Sequence, residues 1–123
     1  MPHIIIDHSP NLSDAASGLC DALRRAAIAT EAFPTAGIRV RAFAPHAMSM
    51  ADGDDKHGYV DVTVRVREGR PEAQRIAVAE AIYAAAEAHL AEAMATRSVA
   101  LSVELREMAD KTTLKGGTVR DHL

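Results

Sequence analysis

The chain has no tryptophan, only two phenylalanines and two tyrosines, and a single cysteine. With aromatics at 3%, it has little to build the stacking platforms on which single-strand binders lay bases. Cys20 has no partner for an internal disulfide. An excess of positive charge is also missing: Lys and Arg number 14 against 17 Asp and Glu, for a net charge of −3. No basic stripe of the kind that neutralises phosphates is present. No apolar run approaches the roughly 18 residues of a membrane span, and no basic segment precedes the first apolar triplet as it would in a signal peptide. These absences argue against nucleic-acid and membrane partners, and they make the cytoplasm the expected location.

What is present is aliphatic. Hydrophobic residues make up 48% of 123 residues, which predicts one domain spanning residues 1–123 with a core of Ala, Val, Ile and Leu. The pattern falls into two halves of similar design. His3 to Asp7 reads as a short strand. Leu12, Ala15, Ala16, Leu19, Leu23, Ala26 and Ala27 then recur at helical spacing, with Ser9-Pro10-Asn11 as start signals. Phe33-Pro34-Thr35-Ala36-Gly37 ends that helix, and Ile38, Val40 and Ala42 alternate with Arg39, Arg41 and Phe43 in a second strand. After a polar loop, Val60, Val62, Val64 and Val66 alternate with Asp61, Thr63, Arg65 and Arg67. A helix opening at Pro71 follows, with Ile76, Ala79, Ile82, Tyr83, Ala86, Leu90 and Ala93 on one face. Val99, Leu101, Val103 and Leu105 close the pattern as a strand.

The expected fold is α+β: two β-α-β repeats forming a four-stranded mixed sheet with two helices on one face. Each repeat makes a parallel strand pair by a crossover. The other face carries Phe43, Thr63, Ala100 and Ser102 among Arg39, Arg41, Arg65, Arg67 and Glu104. A two-layer domain with a free face of this mixed character is expected to self-associate.

The chain begins Met1-Pro2-His3. Removing Met1 leaves Pro2 as a secondary amine, a base and nucleophile; with Met1 attached, the same nitrogen is an amide with neither property. An α-amino group titrates near pH 7.7–8.0, and burial or nearby cations lower that value. Taken alone, Met1-Pro2 reads as a residue that pins a free end.

Five segments change that reading: Pro2-His3-Ile4-Ile5-Ile6, Phe33-Pro34-Thr35-Ala36-Gly37-Ile38-Arg39-Val40-Arg41, Met50-Ala51-Asp52-Gly53, Gly69-Arg70 before the second helix, and Ala100-Leu101-Ser102-Val103-Glu104. In order and spacing they resemble the 5-carboxymethyl-2-hydroxymuconate isomerase family, part of the tautomerase superfamily that includes 4-oxalocrotonate tautomerase and macrophage migration inhibitory factor. The resemblance implies the tautomerase fold, a homotrimer, and an isomerase of homoprotocatechuate degradation. It also implies that Pro2 moves the proton. One base that picks up and redelivers a proton is sufficient for such chemistry, so neither metal nor organic cofactor is required. By position in the matching motifs, Arg39 and Arg70 are assigned to substrate carboxylates, which the planar guanidinium fork grips at two points.

Each residue also has a plainer reading. Arg39 sits on the polar phase of a strand, where ion pairs are common. Arg70 precedes Pro71, where its charge opposes the helix dipole unless an anion binds there too. The loop over residues 46–58 lacks zinc or calcium spacing and reads as a flexible acidic surface loop. His89 reads as an exposed helix residue, and Cys20 as a small buried side chain. The stretch from Lys111 to Leu123 has no clear period and reads as a tail that packs on a neighbouring subunit or lacks order. Besides the isomerase, two functions stay open: a tautomerase for another enol acid, and a non-catalytic trimer that binds a ligand or partner.

Overall fold

The computed structural model describes residues 1–123. Strand β1 (His3–His8) is followed by α1 (Leu19–Ala29), β2 (Arg39–Phe43), β3 (His57–Arg67), α2 (Glu72–His89), the short α3 (Ala91–Thr96) and β4 (Ser98–Met108). The four strands form one sheet in the order β2-β1-β3-β4. β1 pairs parallel with β2 and β3 parallel with β4, while β1 and β3 run antiparallel at the centre. Each β-α-β repeat therefore supplies one parallel pair, as the alternating patterns predict.

Residue alternation decides which face the helices cover. Ile4, Ile6, Val60, Val62, Val64 and Val66 are all fully buried, and Ile4 stands opposite Val64 as Ile6 does opposite Val62. Leu19, Leu23 and Ala27 of α1 and Val78, Ile82 and Ala86 of α2 close over them. Each such aliphatic side chain contributes roughly 1.5–3 kcal/mol on burial, so a core with little aromatic content is sufficient.

The first helix starts later than its apolar spacing suggests. Residues Pro10–Leu12 form a single 3-10 turn, and α1 begins only at Leu19. The side chains read as start signals serve the sheet instead. The Tyr59 N–H donates to Ser9 Oγ (2.9 Å), Ser9 Oγ–H donates to Asn11 Oδ1 (2.6 Å), and Asn11 Nδ2 donates to the His57 carbonyl (2.9 Å). Gly58 makes this contact possible, because a Cβ there would lie 2.8 Å from both Ser9 Oγ and Asn11 Oδ1.

The second helix differs in two respects. It stops at His89 with Leu90 out of helical conformation, so Ala93 belongs to α3. Its buried stripe runs through Val78, Ile82 and Ala86, whereas Ile76 (50% exposed) and Tyr83 (38% exposed) face outward. The segment is apolar almost all round, so periodicity alone does not select the core face. His89 is exposed, as expected, yet bonded: Nε2 lies 2.7 Å from the Ser17 carbonyl and ties the end of α2 to the turn before α1. Cys20 is half-buried rather than buried, and the apolar surroundings push its thiol up.

No helix is long and apolar enough to cross a membrane.

Candidate active site

The antiparallel centre and the two parallel pairs bring four strand ends together. His3 pairs with Arg39 on one side and Arg65 on the other, and Arg67 pairs with Met108. The starts of β1 and β2 and the ends of β3 and β4 therefore share one edge of the sheet. Pro2 lies there, buried, and its carbonyl accepts from the Arg39 N–H at 3.2 Å.

Arg39 and Arg70 converge on this edge from different elements. The Arg39 guanidinium donates to the Gly37 carbonyl at 3.0 Å. Arg70 donates to the carbonyls of Arg67 (3.2 Å) and Ala32 (3.3 Å) and stacks over the Phe33 ring, 4.8 Å from its centroid. Both are half-buried. Two nearby cations are neutralised, Arg67 by Asp110 (2.7 Å) and Arg75 by Glu107 (3.2 Å). Arg39 and Arg70 form no ion pair within the chain; their partners are main-chain carbonyls, which leaves the positive charge uncompensated.

The chain start feels that charge. In this structure the terminal ammonium belongs to Met1, one residue outward from the nitrogen of Pro2, so it stands in for an amine at the head of β1. It is held below the usual amine value first by burial and then by Arg70, Lys115, Arg67 and Arg39. Every one of these influences favours the neutral base. Gly37 permits the close approach of the terminus, since a Cβ there would sit 3.1 Å from Met1 Cα.

A cleft of about 330 Å³ opens at this point. One wall is Met1, Pro34, Ala36, Gly37 and Arg39. The opposite wall is the C-terminal tail, with Lys115, Gly116, Gly117, Val119, Arg120 and Asp121. The tail thus crosses its own chain start, which the aperiodic sequence after Lys111 does not disclose. The only sequence signal was charge: Lys115 and Arg120 flank a glycine pair.

The 46–58 loop lies at the opposite end of the sheet and takes no part in this cleft. It is exposed and acidic, but it is tethered to the sheet. His57 Nε2 sits 2.8 Å from Asp52 Oδ1 and His57 Nδ1 2.7 Å from Ser98 Oγ. A backbone N–H from Asp54 and the His57 ring hold the Asp52 carboxyl below its ordinary value.

A cation-ringed chain start, buried at the head of a central strand in a sheet of paired β-α-β repeats, defines the class as a tautomerase-fold protein. The family described as 5-carboxymethyl-2-hydroxymuconate isomerase matches residues 2–123. The chain is 32% identical over 121 residues to the 5-carboxymethyl-2-hydroxymuconate Delta-isomerase of Escherichia coli, covering 97% of this chain and 96% of that one. A crystal structure of a 5-carboxymethyl-2-hydroxymuconate isomerase from Deinococcus radiodurans R1 superposes with a TM-score of 0.91 at 26% identity, over 98% of this chain and 92% of the other. A crystal structure of a 5-carboxymethyl-2-hydroxymuconate delta-isomerase gives 0.89 at 28% identity, over 99% and 92%. More distantly, a fused 4-OT described as a symmetric trimer shares the fold, with a TM-score of 0.64 at 20% identity over 94% and 91%. The chain belongs to the 5-carboxymethyl-2-hydroxymuconate isomerase family, and it is an isomerase.

Proposed function

We propose that the protein, once Met1 is removed, isomerises 5-carboxymethyl-2-hydroxymuconate or a close unsaturated polycarboxylate, with the Pro2 amine as the acid/base. The dienol hydroxyl gives its proton to the neutral amine as negative charge spreads over the conjugated chain. The protonated amine then returns a proton to a carbon of that dienolate, and the double bonds shift. Arg39, beside Pro2 in the adjacent strand, steadies the growing charge, and Arg70 binds a carboxylate of the substrate. The reading rests on the family match over residues 2–123, and it is supported by the Met1 ammonium at the head of β1, which stands in for the Pro2 amine and is held below its usual value by burial and then by Arg70, Lys115, Arg67 and Arg39.

The assembly proposed is a homotrimer. The free face of the sheet supports it, as does the symmetric trimer reported for a fold neighbour.

Intact mass spectrometry on two preparations, one processed and one retaining Met1, provides the test. The processed protein is expected to turn over 5-carboxymethyl-2-hydroxymuconate, and the Met1 form to lose about 10²- to 10⁴-fold in rate, the contribution of a positioned general base. Equal activity in the two preparations would remove Pro2 from the mechanism. Turnover of phenylpyruvate but not of the tricarboxylate would point to a tautomerase for another enol acid.

A further inference from the structure

The tail beyond β4 is attached at one end and unattached at the other. Near its start, the Arg67–Asp110 ion pair (2.7 Å) and the bond from the Asp110 N–H to Glu68 Oε1 (2.7 Å) hold it to the sheet edge. From Leu114 onward its hydrogen bonds are internal, as from the Asp121 N–H to the Thr118 carbonyl at 3.0 Å. Its apolar side chains do not anchor it either: Leu114 is 94% exposed and Leu123 78%. Gly116 and Gly117 have open space around them, and Gly117 takes a φ of 123°. This lightly held segment nevertheless forms a whole wall of the cleft over the chain start.

Charge gives that wall a direction. Lys115 forms no ion pair, even with Asp121 in the same lining. It acts on the terminal amine more strongly than Arg39 does, ranking directly behind Arg70. A substrate named as a carboxymethyl derivative of a muconate carries three carboxylates, and the proposed mechanism meets them with two arginines, Arg39 and Arg70.

We infer that Lys115 is a third substrate-binding residue, which the tail swings onto a carboxylate of the polycarboxylate substrate as it closes over the Pro2 amine. The inference rests on the functional reading above and adds to it a specificity device. A compact ammonium on a flexible stem suits a moving segment, where a planar guanidinium fork would need fixed geometry. Binding by the tail selects for substrates with a carboxylate distant from the reacting atoms. Monoacids gain nothing from it.

The test uses full-length protein with verified loss of Met1 and the variants Lys115→Gln and Lys115→Arg. In Lys115→Gln, KM for 5-carboxymethyl-2-hydroxymuconate is expected to rise about tenfold, the effect of a lost charge-assisted contact. Measured on the pH plateau, where the amine is already neutral with or without the Lys115 charge, its kcat should stay within about twofold and phenylpyruvate turnover should not change. Lys115→Arg should recover most of the loss. Binding of the unreactive propane-1,2,3-tricarboxylate, measured by calorimetry, should weaken about tenfold in Lys115→Gln. An unchanged KM and unchanged tricarboxylate affinity would overturn the inference, as would equal losses on both substrates, which indicate a structural role. If the parent protein does not turn over the tricarboxylate, the functional reading fails, and the calorimetric comparison still decides the role of Lys115.

Discussion

Two arginines with the same chemistry occupy different positions relative to the chain start, and their replacement should therefore fail in different ways. Arg39 lies in the strand next to Pro2, where the proposed mechanism puts the developing dienolate charge. Arg39→Ala should lower kcat on the tricarboxylate, and Arg70→Ala should mainly raise KM. Each change should cost kcat/KM about ten- to a hundredfold. Steady-state kinetics with phenylpyruvate as the monoacid control separates these patterns from a structural loss, which would fall equally on both substrates. His3, flanked by Arg39 and Arg65 on the neighbouring strands, is surrounded by cations. Burial first, then Arg65, Arg41 and Arg39, hold its imidazole below the ordinary 6.5, and the Arg41 guanidinium lies 3.2 Å from its Nδ1. The unfolded chain takes up this proton near pH 6.5 and the folded chain only at lower pH. Between those two values the unfolded state binds more protons, so stability contributed by neutral His3 falls as the pH drops below about 6.5. Urea midpoints at pH 7.5 and 5.5 should therefore differ more for the parent than for His3→Gln. An equal difference in both would show that His3 does not carry this dependence.

At the scale of elements, the strands and the buried face of α1 were legible, and the face of α2 only in part. Val60 to Val66 alternate because β3 has one covered face, and a period of two survives any tertiary detail. In α2 the residues Ile76, Ala77, Val78 and Ala79 offer several apolar faces, and only packing into the core shared with α1 and the sheet selects Val78, Ile82 and Ala86. The start of α1 was hidden because Ser9 and Asn11 bond to β3, about 50 residues away in sequence. The site divides the same way. The motifs that suggest Pro2, Arg39 and Arg70 are local, whereas the tail that lines the cleft with Met1 and Arg39 offers only the charges beside its glycine pair, since its partners lie at the other end of the chain. The corrected helix face is directly measurable. Ile82→Ala should cost about 2–5 kcal/mol in denaturant unfolding, whereas Ile76→Ala, at 50% exposure, should stay within about 0.5 kcal/mol. Comparable losses at the two positions would restore the face first read from the sequence, which carries Ile76 and Ile82 together.

At the scale of the whole molecule, the uncovered side of the sheet has its own order. Arg39, His3, Arg65 and Arg106 stand in one row across the strands, and Phe43, Asp7, Asp61 and Ser102 in another. Between them Ile5 is flanked by Arg41 and Thr63. Polar groups on this face are partly satisfied within the chain, Tyr59 by Asp7 (2.7 Å) and Ser102 by Asp61 (2.6 Å). Burial and then Asp7 push the Tyr59 hydroxyl up to about 12. Arg65 Nε is buried without a hydrogen-bond partner, a costly arrangement for a donor unless another surface completes it. Three copies that turn these faces toward one another would bury Ile5 and bring further acceptors toward the arginine row. Light scattering should then give a mass near three times 13.1 kDa. Ile5→Lys adds a cation beside Arg41 and removes the apolar centre of the face, while the helix-covered core is untouched. It should shift the mass toward the single chain without loss of far-UV circular dichroism. A parent protein that runs as a monomer at micromolar concentration would overturn the trimer, and an Ile5→Lys variant that keeps the parent mass would move the interface off this face.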